Sequence, residues 1–215
     1  ADFGPLNTAV ELSAEDGYER TFGTGLTTDA MKEAIAGGAK TIIACRVGNG
    51  GSQGTITLKD TDEEEALTIT AKYPGDKDFT VTIREKLSDS ALKECIFYAG
   101  TTEFEKLEFS AGEGEVDALV AALASSRNFK AEAKEGKGTA VLAAVSQSAF
   151  TKGINPQVTT GDYSNAFAQV EPFDFNTICL DTEDTEIHLL LQSFINRIFD
   201  AGSLCQAVVA EKHTV

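Results

Sequence analysis

The stretch Gly48-Asn49-Gly50-Gly51-Ser52-Gln53-Gly54 comes nearest to a phosphate cradle in this chain. Glycine-rich turns bind phosphate through backbone N–H groups when a helix N-terminus follows them. Here Gln53 stands where the last glycine of G-x-G-x-x-G belongs, and Thr55-Ile56-Thr57-Leu58 reads as a strand. The pattern therefore predicts a flexible inter-domain loop. Gly136-Lys137-Gly138-Thr139 resembles the end of a P-loop, but its first glycine and its lysine–hydroxyl spacing are wrong.

The run from Asp60 to Glu65 has the carboxylate density of a calcium loop without the central glycine and the spaced final glutamate. It reads as a solvated loop. The histidines are His188, in a helical segment beside Leu189 and Leu190, and His213, in the tail. Neither has a ligand-spaced neighbour. No G-x-S-x-G elbow presents a nucleophile. The four cysteines, Cys45, Cys95, Cys179 and Cys205, form no C-x-x-C pair and read as buried free thiols. The residues thus predict no catalytic, cofactor-binding or metal-binding site, and no cofactor. An alternative remains open: an α/β small-molecule-binding or hydrolytic enzyme with an inserted domain. Its pocket would lie at the carboxyl ends of strands, lined by Asn49, Asp181 and Asp184.

Composition sets the frame for these residues. The 215-residue chain is 42% hydrophobic and 24% charged, a globular balance. Its net charge of −16 argues against nucleic-acid binding, which needs a basic face, and the sequence shows no strong local basic patch, so no nucleic-acid partner is expected. No apolar stretch reaches the roughly 18 residues that cross a bilayer, and no membrane anchoring is expected.

Periodicity divides the chain. In residues 1–50, Val10-Glu11-Leu12 suggests a short strand. Thr28 suits an N-cap, and Met31, Ala34 and Ile35 share a helical face that Gly37-Gly38 ends. The apolar run from Thr41 to Val47 fits a strand of a parallel sheet, covered on both faces. Residues 51–150 alternate instead. Leu67, Ile69 and Ala71, then Phe79, Val81 and Ile83, predict a hairpin or neighbouring strand pair about the turn Pro74-Gly75-Asp76. Strands are expected at Cys95–Tyr98, Phe104–Phe109, Asn128–Ala133 and Thr139–Val145, with a helix over Gly114–Ala124. In residues 151–215, a helix over 162–170, a strand at Asn176–Leu180, a helix over 184–201 and a strand at Cys205–Ala210 alternate. Tyr163, Phe167, Phe173 and Phe175 are expected to pack in the core. The expected fold class is α/β (α+β overall). It comprises an α/β core domain of residues 1–50 with 151–215, interrupted by a β-rich α+β insertion over 51–150.

Three segments carry a family resemblance. They are the helix running into Gly37-Gly38-Ala39-Lys40-Thr41-Ile42-Ile43-Ala44-Cys45-Arg46, the turn Ala71-Lys72-Tyr73-Pro74-Gly75 with its strand ending at Ile83, and Gly161-Asp162-Tyr163 through Asp174–Leu180 with the linker and long helix after it. In order and spacing the sequence resembles contractile-tail sheath proteins of bacteriophages and prophage-like particles of Gram-positive bacteria. It departs from the family pattern at Asp76-Lys77-Asp78 and at Lys152-Gly153-Ile154-Asn155.

The resemblance implies a non-enzymatic structural subunit. It would self-associate in hexameric rings around a tail tube and drive the tube by contraction. The implied partners are the tube, baseplate and tail terminator proteins. The implied place is the virion tail, assembled in the bacterial cytoplasm, with the insertion projecting outward. Family members are longer, so this chain is expected to be a core fragment.

Overall fold

The computed structural model describes residues 1–13 and 17–210. They form two compact units, one of residues 1–50 with 156–215 and one of residues 51–155. The first begins with strand β1 (Ala9–Ser13), the short helix α1 (Tyr18–Phe22), helix α2 (Leu26–Ala36) and strand β2 (Thr41–Cys45). β1 and β2 pair antiparallel, Ala9 opposite Cys45 and Leu12 opposite Ile42. The apolar run at 41–47 does have both faces covered, but by helices on an antiparallel ribbon. One face, with Val10, Leu12, Ile42 and Ala44, packs against Phe22 and Met31 of α1 and α2. The other, with Ala9, Ile43 and Cys45, meets the helices from the end of the chain. A strand packed on both faces is apolar throughout whichever way its neighbour runs, so the sequence does not reveal the direction. The start of α2 also differs from expectation. Gly25 is the N-cap, and Thr28 lies within the helix, its hydroxyl donating to the Gly25 carbonyl at 2.8 Å.

The second unit is built from β3 (Gln53–Lys59), β4 (Glu65–Pro74), β5 (Phe79–Lys86), β6 (Asp89–Ala99), β7 (Thr102–Ser110), α3 (Glu115–Ala124), β8 (Phe129–Ala133) and β9 (Val145–Ala149). Two antiparallel sheets form, ordered β3-β4-β8 and β7-β6-β5-β9. The two alternating segments on either side of Pro74 are thus no hairpin. β4 and β5 belong to different sheets, and each turns its apolar row inward: Leu67, Ile69, Val81 and Ile83 are fully buried. The last strand begins at Val145, not Thr139. The residues before it include turns and one isolated bridge, Leu142 with Asp60, while the Thr139 and Ala140 carbonyls accept from Gly114 and Val116 at the start of α3.

Five phenylalanines fill the centre of this unit. Phe97 and Phe129 stack at 3.9 Å between centroids, and Phe79, Phe104 and Phe150 surround them at tilted or edge-on angles. Such angles suit the aromatic quadrupole. Helix α3 closes the unit against β7 and β8 with Val116, Leu119 and Leu123, all fully buried.

The chain then re-enters the first unit with helix α4 (Thr160–Val170), strand β10 (Thr177–Cys179), helix α5 (Thr185–Asp200) and strand β11 (Gln206–Val208). α4 carries a capping box. The Asp162 carboxylate accepts from the Thr159 N–H and hydroxyl, both at 2.8 Å. β10 and β11 pair in parallel around α5, a βαβ unit. Tyr163, Phe167 and Val170 of α4 pack on Ile187, Leu191, Phe194 and Ile198 of α5. Phe175 joins this cluster, whereas Phe173 stays half-exposed. His213 lies outside the described residues.

Candidate functional site

The residues singled out for chemistry are engaged in local structure. Gly48–Gly54 does not form a free loop. The Asn49 N–H and carbonyl exchange hydrogen bonds with Gln157 within the first unit, and Ser52 does the same with Ile154 within the second. Asp181 accepts from the Thr27 hydroxyl at 2.5 Å. Asp184 is the N-cap of α5 and accepts from the Glu186 N–H at 2.9 Å. Asn49 is thus held through its backbone, Asp181 by Thr27 and Asp184 as a helix cap, and the charges of both aspartates act on the Tyr163 hydroxyl, whose pKa burial raises above its ordinary value. His188 donates from Nε2 to the Thr182 carbonyl at 2.9 Å, leaving Nδ1 buried and without a partner among the described residues. No cluster of three or more His, Cys, Asp or Glu able to hold a metal occurs among the described residues. No helix among them is long and apolar enough to cross a membrane.

The acidic run differs from a solvated loop at its first residue. Asp60 is only 3% exposed. Its carboxylate accepts the Asp62 and Glu64 N–H groups, closing the turn between β3 and β4, and takes an ion pair from Lys137 at 2.8 Å. Lys137 also reaches Glu64. The lysine that resembled a P-loop lysine is therefore a tether between two loops. Hydrogen bonding to Lys137, reinforced by the two backbone donors, holds the Asp60 carboxyl below its ordinary range. The same pairing raises the Lys137 ammonium above its ordinary range.

A depressed carboxylate contributes stability above its unfolded pKa and loses it as pH falls through the folded value. The raised lysine contributes below its unfolded pKa and loses that only in strong alkali. Lys137→Met is therefore expected to be less stable than the parent from pH 5 to 9, with the gap closing below about pH 4. Urea titrations at neutral and acid pH measure it. A gap that persists undiminished in acid would refute the assignment.

The thiols depart from expectation in exposure. Cys95 is buried, Cys45 and Cys205 are half-buried, and Cys179 is exposed; all four are free. Burial raises every one of them, Cys45 to about 11, and Asp181 adds to the rise at Cys179. Thiols raised in this way are weak nucleophiles at neutral pH. A thiol reagent is expected to label Cys179 first and Cys95 only on unfolding. Mass mapping of a partially labelled sample checks the order, which early labelling of Cys95 would contradict.

In the first unit Leu189, Phe199, Leu204, Val208 and Val209 are exposed apolar side chains. In the second unit the edge strand β7 carries Glu103, Glu105, Lys106 and Glu108, and charge of this kind blocks edge-to-edge pairing.

Nearly all of the chain aligns with known structures. The sheath tail protein of Desulfitobacterium hafniense aligns over 95% of this chain with a TM-score of 0.63 and 24% identity. The fold is that of the sheath tail proteins. The sheath tail protein of Listeria innocua aligns over 98% of the chain, with a TM-score of 0.65 and 21% identity. This chain spans 46% of the length of each, so the sheath fold seen here corresponds to about half of those proteins. No protein-family model matches the sequence, and no curated protein matches it significantly. The capping box, the Asp60 turn and the two cores are thus the local means by which this sequence builds the sheath fold.

Proposed function

We propose that this chain is part of a structural subunit of a contractile tail sheath. The subunits assemble in hexameric rings around a tail tube, and contraction of the stacked rings drives the tube forward. One observation carries the reading: the likeness to two sheath tail proteins runs through 95–98% of the chain, across both units. Supporting it, Asp60, Lys137 and Asp184, which suggested chemistry, are committed to a turn, an ion pair and a helix cap. A machine that works by shifting between two packings of rigid bodies needs interface energy, not catalytic groups.

In this reading the exposed apolar side chains of the first unit, such as Phe199 and Val208, are covered on assembly. The unit of residues 51–155 projects outward and tolerates exchange. The tube, baseplate and terminator proteins are the partners. The place of action is the virion tail, after assembly in the bacterial cytoplasm.

The test is expression of the full-length open reading frame that contains this chain, followed by negative-stain electron microscopy. Rings or tubes with six subunits per layer are expected. Full-length protein that stays monomeric at all concentrations would overturn the proposal.

A further inference from the structure

We propose that Asn49 is a site of spontaneous backbone modification, in which its side-chain amide is lost through cyclisation onto Gly50. Asn49-Gly50 is the only Asn-Gly pair in the sequence. Cyclisation needs three things: a free side-chain amide, an accessible following nitrogen, and no side chain on the residue that bears it. Asn49 and Gly50 are both exposed. The Gly50 N–H donates to no group among the described residues, and the Asn49 side chain has no partner among them. Gly50 sits at φ 72°, with nothing within 4 Å of where a Cβ would stand.

Each of the other asparagines fails at least one requirement. The Asn7 side chain holds Gly48 through two hydrogen bonds, 2.7 Å to its carbonyl and 3.2 Å from its N–H. Asn128 is bonded to Glu105, and the next N–H donates to the Ser126 hydroxyl at 2.9 Å. Asn155 precedes Pro156, which has no N–H. Asn165 and Asn196 lie inside helices α4 and α5, where the next N–H is held in the helical ladder. Asn176 precedes the β-branched Thr177, whose side chain crowds the approach.

The chemistry needs only water and base. The Gly50 nitrogen gives up its proton to base and attacks Asn49 Cγ. The new N–C bond closes a cyclic imide, the Cγ–Nδ2 bond breaks, and Nδ2 leaves as ammonia. Nothing is oxidised or reduced. Water then opens either imide carbonyl, leaving aspartate or isoaspartate at position 49 and one more negative charge on the chain. The isoaspartyl product routes the main chain through Cβ. The added carbon breaks the register of the Asn49–Gln157 pair, whose two bonds are 2.7 and 3.0 Å.

Incubating the purified chain at mildly alkaline pH, with peptide mapping by mass spectrometry and isoaspartyl methyltransferase labelling, tests this. Conversion at position 49 is expected to exceed that at any other asparagine by about tenfold, reflecting the intramolecular advantage of a free, unhindered nitrogen. Methyltransferase labelling of the peptide that carries position 49 should vanish in Asn49→Ser. Amide exchange at Gln157 should lose its protection in the isoaspartyl fraction. Conversion at position 49 no faster than at Asn176 or Asn196, or intact Gln157 protection in the isoaspartyl fraction, overturns the proposal.

Discussion

Glu115→Ala is expected to cost the second unit about 3–5 kcal/mol, the loss typical of removing one partner of a buried ion pair. Glu115, the first residue of α3, is 1% exposed. Its Oε2 accepts the Lys93 ammonium at 2.7 Å and the Leu142 N–H at 2.8 Å, while Oε1 accepts the Gly112 N–H at 2.8 Å. Lys93 also donates to the Leu142 carbonyl at 2.9 Å. One carboxylate therefore ties β6, the entry to α3 and the segment around Leu142 together. Truncating it leaves a buried ammonium and two backbone donors without their acceptor, each of which costs free energy in a dry interior.

The converse variant, Lys93→Met, is expected to cost less, about 1–3 kcal/mol, because Glu115 keeps two N–H donors. The double variant then shows a coupling of about 1 kcal/mol or more between the two sites. Chemical denaturation of the four proteins measures the cycle. A Glu115→Ala protein within about 0.5 kcal/mol of the parent, the range of an ordinary surface change, would show that the network carries no weight.

Little of that network is legible in the sequence. Leu92-Lys93-Glu94 looks like a wet edge of a strand, and Glu115 looks like a helix-start carboxylate favoured by the dipole. Burial of Lys93, Glu94 and Glu115 follows from packing between segments far apart in the chain. Asp60 is the same case: the first of a run of acids, it is the one turned inward to Lys137. What alternates or recurs at helical spacing was readable. Leu67, Ile69, Val81 and Ile83 fall inside, as does the α3 stripe, because a single buried face imposes its period on the residues.

Pairing partners were not readable. A turn at Pro74 is compatible with a hairpin or with a crossing between sheets, and only the sheet edges decide. The continuous apolar run at β2 hid its antiparallel partner for a related reason, since helices on both faces make both rows apolar. For the candidate site, the sequence pointed to the absence of a motif. It could not show which partners hold the Asn49 backbone, Asp181 and Asp184, namely Gln157, Thr27 and Glu186.

Phe194→Ala is the counterpart in the first unit, with an expected loss of about 3–5 kcal/mol from the emptied volume and the lost contacts. Phe194 lies on the buried stripe of α5 and stacks on Phe167 of α4 at 5.1 Å and 19°. That contact joins the two long helices, and the same cluster takes in Ile43 and Cys45 of β2, so the cavity would sit where α4, α5 and the ribbon meet. The Arg197 guanidinium lies 5.4 Å from the centre of the Phe194 ring and pairs with Glu171, the C-cap of α4. Arg197 is exposed, so water can replace much of what it gives, and Arg197→Ala is expected to be the milder change. Phe194→Leu, which keeps most of the volume, should fall between the two.

Amide exchange resolves where the loss lands. Because Phe194 belongs to the core cluster of the first unit, protection should drop along α4 and α5 and hold along β5 and β6. An equal drop in both units would mean that the two cores melt as one, and the separation drawn from the packing would fail. Unchanged protection in α4 and α5 would instead show that the stacked pair is dispensable to the helix interface it spans.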